Sequence, residues 1–239
     1  MAIRQGSFVL IEYTVYNKDD QKVIDTTLEE KAKEGGIFNE NVKYEPELVI
    51  IGEGMLFKSL EEEVLKLKEG DTATIELPPE KAFGKRDPSK IKTISARELS
   101  RRGIIPRVNE EVEINGQHAI IRSVGGGRVI LDFNHPLAGK TLVYELKIVK
   151  VLKEPSEKLR ELVYRWLKRV ISREDIRVRI REKTATINLP LRVLSVENVG
   201  IAIRGIIRDI QRHFPNIEKI IFREAVSYTH LTLPTTERV

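Results

Sequence analysis

The sequence predicts an α+β protein. Its parts are a first domain of short strands with one good helix, a small helix-plus-sheet unit inserted into it, and a C-terminal αββαβ domain. Three observations predict it. Short runs alternating apolar and polar residues dominate the first two-thirds of the chain, with one good helical run among them. The longest alternating run, within Leu131–Leu152, arrives only after a stretch, 87–132, that carries turn signals of its own. Beyond Pro155 the pattern changes to amphipathic helices around a β-hairpin.

Taken in order, Phe8 to Tyr16 (FVLIEYTVY) is β-branched and aromatic, and an Asp19-Asp20 turn joins it to a short strand, Lys22 to Asp25. The polar stretch 26–42 reads as a surface excursion with one helical turn at Leu28 to Glu34, stopped by Gly35-Gly36. Tyr44 to Ile51 forms a third strand. Gly52-Glu53-Gly54 then turns the chain into a helix over Phe57 to Lys66, where Phe57, Leu60, Val64 and Leu67 recur at helical spacing. Thr72 to Leu77 is a fourth strand, ended by Pro78-Pro79, which cannot donate to a ladder.

After Ala82-Phe83-Gly84, Ser95 and Glu98 form a capping box over a helix, Ser95 to Arg102. Asn115-Gly116 and Gly125-Gly126-Gly127 separate strands Glu111 to Ile114, His118 to Val124 and Arg128 to Phe133. The loop Asn134-His135-Pro136-Leu137-Ala138-Gly139 is a shaped connection. It leads to the strand in which Leu142, Tyr144, Leu146, Ile148 and Lys150 share one face and Thr141, Val143, Glu145, Lys147, Val149 and Val151 the other. Since this strand closes the first domain, the unit before it is inserted rather than appended. The expected division is 1–87 with 132–152, 88–131 as the insertion, and 153–224.

In the last domain Leu159, Leu162, Val163, Trp166, Leu167 and Val170 make an amphipathic helix over 156–171 that needs a partner surface. Ile176, Val178 and Ile180 alternate with Arg177, Arg179 and Arg181, and Ala185, Ile187 and Leu189 continue the hairpin to Pro190. A second helix, 196–213, and a strand, Ile217 to Arg223, complete it. A domain this small suggests a homodimer that finishes its core. The threonine-rich tail 225–239 has lost apolar periodicity and is set aside as non-native.

With 41% apolar and 32% charged residues the chain reads as globular. The absence of any run of about 18 apolar residues and of a signal-peptide h-region predicts a cytoplasmic protein without a membrane partner. Zero cysteines excludes disulfides, thiolate metal sites and cysteine nucleophiles. Residues 1–152 carry 23 Lys and Arg against 25 Asp and Glu, whereas 153–224 carry 17 against 10, so a mildly acidic front joins a basic back. The Arg177, Arg179, Arg181 stripe reads first as a solvated or dimeric strand face. Contact with nucleic acid or the ribosome is the lesser alternative, because no stacking aromatics accompany the arginines.

Ordinary catalytic groups are missing. There is no Walker loop, GxGxxG, HExxH or GxSxG, and His118, His135, His213 and His230 fall one to a segment, so no metal site and no cofactor is expected. Gly125–Gly127 reads as a turn rather than a phosphate cradle, since no helix starts behind it. What remains is a dispersed set of aromatic and aliphatic residues around one acid: Tyr13, Asp25, Leu56, Phe57, Leu60, Phe83 and Tyr144.

Here the sequence resembles the FKBP-type peptidyl-prolyl cis-trans isomerases. The matching pieces are YTVYNKDDQKVIDTT, IIGEGMLFKSLEEEVLKLKEGD, PPEKAFG and TLVYELKIVKV. The insertion after Phe83-Gly84 and the NHPLAG loop resemble the SlyD-like branch, whose inserted flap acts as a chaperone, and the C-terminal domain resembles that of the long archaeal members. The resemblance covers 1–152 strongly and 153–224 more loosely.

It implies an FKBP-like half-barrel, a twisted antiparallel sheet around one helix, whose proline pocket is formed here by Tyr13, Asp25, Phe83 and Tyr144 as catalytic positions and by Ile24, Leu56, Phe57, Leu60 and Tyr44 as substrate-binding ones. The Phe57 N–H would hold a substrate carbonyl. Members often carry aromatics at Ile24, Leu60 and Glu47, with Tyr44 filling in for the last, and a tyrosine at Phe83, so weaker binding of immunosuppressant-type ligands follows. The His-rich metal tail of some SlyD-like proteins is absent, and nickel binding is not transferred.

The partners implied are unfolded or partly folded proteins containing X-Pro bonds, captured by flap residues Ile104, Ile105, Val112, Ile114, Ile120 and Ile121. The competing readings are a pure holdase with a weak pocket, core roles for Tyr13, Phe57 and Tyr144, and a strand-end capping role for Asp25 over Thr26-Thr27.

Overall fold

The computed structural model describes residues 2–195 and 197–224; the tail 225–239 and His230 lie outside them. The chain forms β1 (Phe8–Asn17), β2 (Val23–Thr26), α1 (Glu29–Glu34), β3 (Glu47–Ile50), α2 (Lys58–Val64) and β4 (Thr72–Leu77). Next come β5 (Ile91–Ser95), α3 (Ala96–Arg101), β6 (Glu111–Ile114), β7 (Gln117–Gly125) and β8 (Arg128–Asp132). The series ends with β9 (Leu142–Leu152), α4 (Pro155–Leu167), β10 (Arg177–Arg181), β11 (Thr184–Leu189), α5 (Val199–His213) and β12 (Lys219–Glu224). The result is a mixed α and β protein whose sheets are mainly antiparallel and whose helices are few.

β1 is the centre of a five-stranded antiparallel sheet. One of its edges is shared by β2 and β3; the other pairs along its whole length with β9, which carries β4. α2 turns Leu60 and Val64 into the core formed by alternate residues of these strands, among them Val9, Ile11, Val15, Leu142, Leu146 and Ile148.

The face assignment of β9 fails beyond Ile148. Leu10 pairs with Lys150 but Ile11 with Ile148, so Val149 is bulged out of register. The bulge flips the parity, and Val151, expected opposite Ile148, joins it in the core. β3 is also shorter than the Tyr44–Ile51 expected, because Pro46 cannot donate to a ladder and the pairing starts at Glu47.

The second sheet has the order β5-β8-β7-β6, with Leu99 of α3 packed into it. Its hairpins turn at Asn115-Gly116 and Gly126-Gly127, all four with φ between 54° and 76°, as type I′ turns require. β5 was not expected, since only Ile94 of its five residues turns inward. Ser95 accepts from the Arg97 N–H as an N-cap, but Glu98 reaches Arg102 instead of closing the box.

The third sheet runs β10-β11-β12, its parallel β11–β12 pair joined through α5. Gly205 lets α5 approach α4, since a Cβ there would meet the Trp166 ring at 2.4 Å. α4 stops at Leu167, short of the predicted 171, and α5 begins at Val199 rather than 196.

α4 lays most of its stripe, Leu159, Val163, Trp166 and Leu167, on α5 and the β10–β11 hairpin of its own domain, and one residue reaches the first sheet. Leu162 packs with Phe8, Leu48, Ile50 and Leu152, while Val49 faces the α2 core, so β3 is buried on both faces. That explains its unbroken apolar run.

Charges bind the same strand. Arg173 bonds the Glu161 carboxylate at 2.9 Å, the Pro46 carbonyl at 2.7 Å and Glu45, which also accepts from the Tyr164 hydroxyl. Glu161 is 1% exposed, and that guanidinium is its nearest cation, with Arg160 further off at 3.8 Å. Arg173→Ala is expected to cost about 3–5 kcal/mol in denaturant unfolding of the full chain, because it strands a buried carboxylate. Adding Glu161→Gln should restore part of the loss; a single-variant cost below about 1 kcal/mol, the scale of an exposed pair, would contradict the account.

Candidate active site

A cavity of about 420 Å³ lies between the five-stranded sheet and α2. Strand periodicity builds its floor. Ile11, Tyr13 and Val15 on β1, and Leu142, Tyr144 and Leu146 on β9, are alternate residues that point the same way. Leu56, Phe57 and Leu60 supply the helix side, and the loop after β4 brings Phe83 over the mouth.

Phe83 meets Phe57 edge to face, with centroids 5.2 Å apart and planes at 83°. Its other face stacks on His135, at 4.1 Å and 5°. His135 is fixed in turn by the Leu137 N–H, which donates to its Nδ1 at 3.1 Å, and Leu137 itself lines the cavity. The NHPLAG loop therefore forms part of the mouth. Its return is set by Gly139, at φ 78°, whose N–H donates to the Gly84 carbonyl at 2.9 Å.

Two carboxylates line the cavity, Glu47 from β3 and Asp25, itself exposed, from β2. Asp25 Oδ2 accepts from the Tyr13 hydroxyl at 3.0 Å, and Oδ1 accepts from the Thr26 N–H at 2.9 Å. Both sequence readings of Asp25 thus describe real bonds. Burial, followed by the charges of Glu47 and Asp25, pushes the Tyr13 phenol far above its ordinary value. Burial and the Asp25 charge push Tyr144 up to about 12. The Phe57 N–H lies at the N-terminal edge of α2 with no backbone acceptor among the described residues.

Of the residues singled out in the sequence, Tyr13, Ile24, Asp25, Leu56, Phe57, Leu60, Phe83 and Tyr144 come together around this cavity. Tyr44 does not. It stacks on Phe38 at 5.6 Å, and its hydroxyl accepts from the Asn39 N–H, so Glu47 itself occupies the wall position. Met55 and Leu137 also line the cavity and were missed; neither belongs to a periodic run.

On the flap, Ile105 is 76% exposed and Ile104, Val112 and Ile120 are half-buried. Ile114 and Ile121 are core residues, since strand alternation turns them under Leu99, and cannot form a surface. Val108 and Val124, not predicted, are exposed there.

Residues 92–137 match the family model described as FKBP26, IF domain, and residues 155–227 match that of the FKBP26 C-terminal domain. The chain is 37% identical over 155 residues to the short-type peptidyl-prolyl cis-trans isomerase of Methanocaldococcus jannaschii, covering 98% of that protein and 65% of this one. It is 30% identical over 154 residues to the FKBP-type 16 kDa peptidyl-prolyl cis-trans isomerase of Escherichia coli K12, covering 94% of it and 63% of this chain. With SlyD of Helicobacter pylori it shares 29% over 155 residues, 73% of that protein and 62% of this chain. The chain belongs to the FKBP-type peptidyl-prolyl cis-trans isomerases. The cavity is where an FKBP chemistry would be sought in it, since it gathers Phe57, Phe83 and Tyr144 around one apolar space.

Two tests follow from the site geometry. His135→Ala removes the stack under Phe83 and should lower isomerase turnover about two- to tenfold, the range expected from one aromatic pair, with little change in unfolding; unchanged turnover would make His135 a bystander. The two phenols should stay neutral wherever free tyrosine does. Both folded values lie above the ordinary value of about 10, so their stabilisation is intact below about pH 10 and declines as pH rises through about 12. Phenolate absorbance of Tyr13→Phe and parent should match near pH 10; a difference there would show that Tyr13 titrates freely.

Proposed function

We propose that this chain catalyses cis-trans isomerisation of X-Pro bonds in partly folded proteins, non-covalently, at the Phe57–Phe83–Tyr144 cavity. The observation that carries the reading is one apolar cavity ringed by these aromatics and holding a single tyrosine-bonded carboxylate. Amide resonance sets the barrier at about 18–20 kcal/mol, and no nucleophile is needed to lower it. A twisted amide is less polar than a planar one, so a dry pocket favours it, and each 1.4 kcal/mol or so gives roughly tenfold in rate. Phe57, Phe83 and Tyr144 hold the proline ring. The Phe57 N–H holds the carbonyl after it, and Asp25, through Tyr13, orients the surroundings of the twisting carbonyl.

We read the five-stranded sheet around α2 as the family's half-barrel, formed by 1–87 and 132–152, with 88–131 as an inserted chaperone flap and 153–224 as a separate C-terminal domain. Exposed Ile105, Val108 and Val124 give the flap an apolar surface for unfolded chain. Tethering such a surface beside the pocket raises the local concentration of prolines without altering the pocket. We read the work as cytosolic. A holdase with an idle pocket is the weaker alternative, because a passive binder has no use for the Tyr13–Asp25 bond inside an apolar cavity.

Ile91 pairs with Asp132, so the two ends of the flap are adjacent and a short loop can replace residues 89–130. That replacement should sharply slow refolding of a proline-limited protein and leave turnover of a tetrapeptide nearly unchanged. Asp25→Ala should do the reverse to aggregation suppression, sparing it while turnover falls. Equal losses in both assays would refute the division of labour.

A further inference from the structure

A second cavity, of about 270 Å³, adjoins the first and shares Glu47, Leu48 and Met55 with it. Its other wall belongs to the C-terminal domain: Glu161, Tyr164, Arg165, Lys168 and Arg173. The proline pocket therefore shares a wall with a polar space that the isomerase fold alone does not build.

The charges lining this space are not equally engaged. Glu45 and Glu161 are held by Arg173, and Glu47 by Lys168 at 2.7 Å. All three carboxylates are thus taken. Of the three cations, Arg165 alone has no carboxylate partner among the described residues; its guanidinium lies 4.0 Å from the Met55 sulfur, on the wall common to both cavities. Arg165 and Lys168 stand one turn apart at the end of α4. An arginine presents a planar fork of donors matched to a carboxylate, and in a lining of three carboxylates and three cations Arg165 is the cation left without a carboxylate contact among the described residues.

We propose that Arg165 is the cationic element of a subsite beside the proline pocket that takes the acidic side chain of a substrate residue flanking the proline. Lys168 keeps the Glu47 carboxylate occupied, so that it does not repel the incoming acid. The C-terminal domain then selects among prolines, favouring those next to Asp or Glu. This subsite rests on the isomerase reading of the first cavity.

The test measures kcat/KM of the full chain on short proline peptides carrying Glu, Gln or Lys immediately before or after the proline. Glu should exceed Gln by about two- to fivefold at one of the two positions, the size expected of a partly exposed ion pair, with Lys below both. The preference should shrink at high salt. Arg165→Gln should erase it without changing turnover of the Gln peptide, and Arg165→Glu should invert it in favour of Lys. Arg165 is exposed and packs no core, so neither variant threatens folding. No Glu preference in the parent, or one that survives Arg165→Gln, overturns the proposal. If no peptide is isomerised the catalytic reading fails, whereas the relative affinities of the Glu and Gln peptides for the same proteins still decide the subsite.

Discussion

The pairing of β1 with β9 is the constraint on which the rest of the structure depends. Its register brings Asn17 opposite Leu142 and Phe8 opposite Leu152, residues separated by most of the first two-thirds of the chain. Closing loops of this length is slow and entropically costly before the contacts reward it. Everything between the two strands must therefore return to a fixed place. The flap satisfies this because β5 and β8, its first and last strands, pair with each other, so the insertion begins and ends at one point. The same pairing sets Tyr13 against Leu146 and Val15 against Tyr144, which makes the cavity floor a direct product of register. A slip of one residue would turn one of the two tyrosines to the other face and separate them.

β3 is the second constraint, and it joins the pocket to the basic domain. One face packs on α2 and the other on α4, while its start is held by Arg173 through Glu45 and the Pro46 carbonyl. Glu47, the first residue of the strand, stands in the pocket wall and is paired with Lys168 of the other domain. Displacing the C-terminal domain would thus uncover Leu48 and Ile50 and leave a carboxylate at the rim of an apolar cavity. Coupling between the domains needs no long pathway here; a single four-residue strand belongs to both.

Much of this was legible in the sequence because periodicity and turn chemistry are local. The alternation of FVLIEYTVY, the Asn-Gly and Gly-Gly turns and the apolar stripe of α4 each gave the element found there. What escaped depends on long-range context. The Val149 bulge, which turns Val151 into the core, arises from the mismatch with β1 and leaves no mark in β9 alone. β5 is strand only because β8 is beside it. In the flap, listing apolar residues could not separate Ile105, which faces water, from Ile121, which is packed under Leu99; the strand parity needed for that choice was readable but was not applied. At the site, eight dispersed residues were identified through the family resemblance rather than through spacing, and Tyr44 was misplaced because Pro46 ends the strand that would have carried it inward.

The site also shows why such a pocket is hard to find from chemistry alone. Its floor residues Ile11, Val15, Leu142 and Leu146 are the hydrophobic core, and Tyr13, Asp25, Glu47, Phe83 and Tyr144 exceed what packing demands. An enzyme that breaks no bond needs little else. The hydroxyl–carboxylate pair is the informative part: Asp25 is itself exposed, so the bond from Tyr13 serves to fix where the acid points rather than to offset a cost of burial. The phenol remains protonated because burial and the neighbouring acids oppose its ionisation. The burial that keeps the phenol neutral thus also keeps the donor of its hydrogen bond to Asp25 in place.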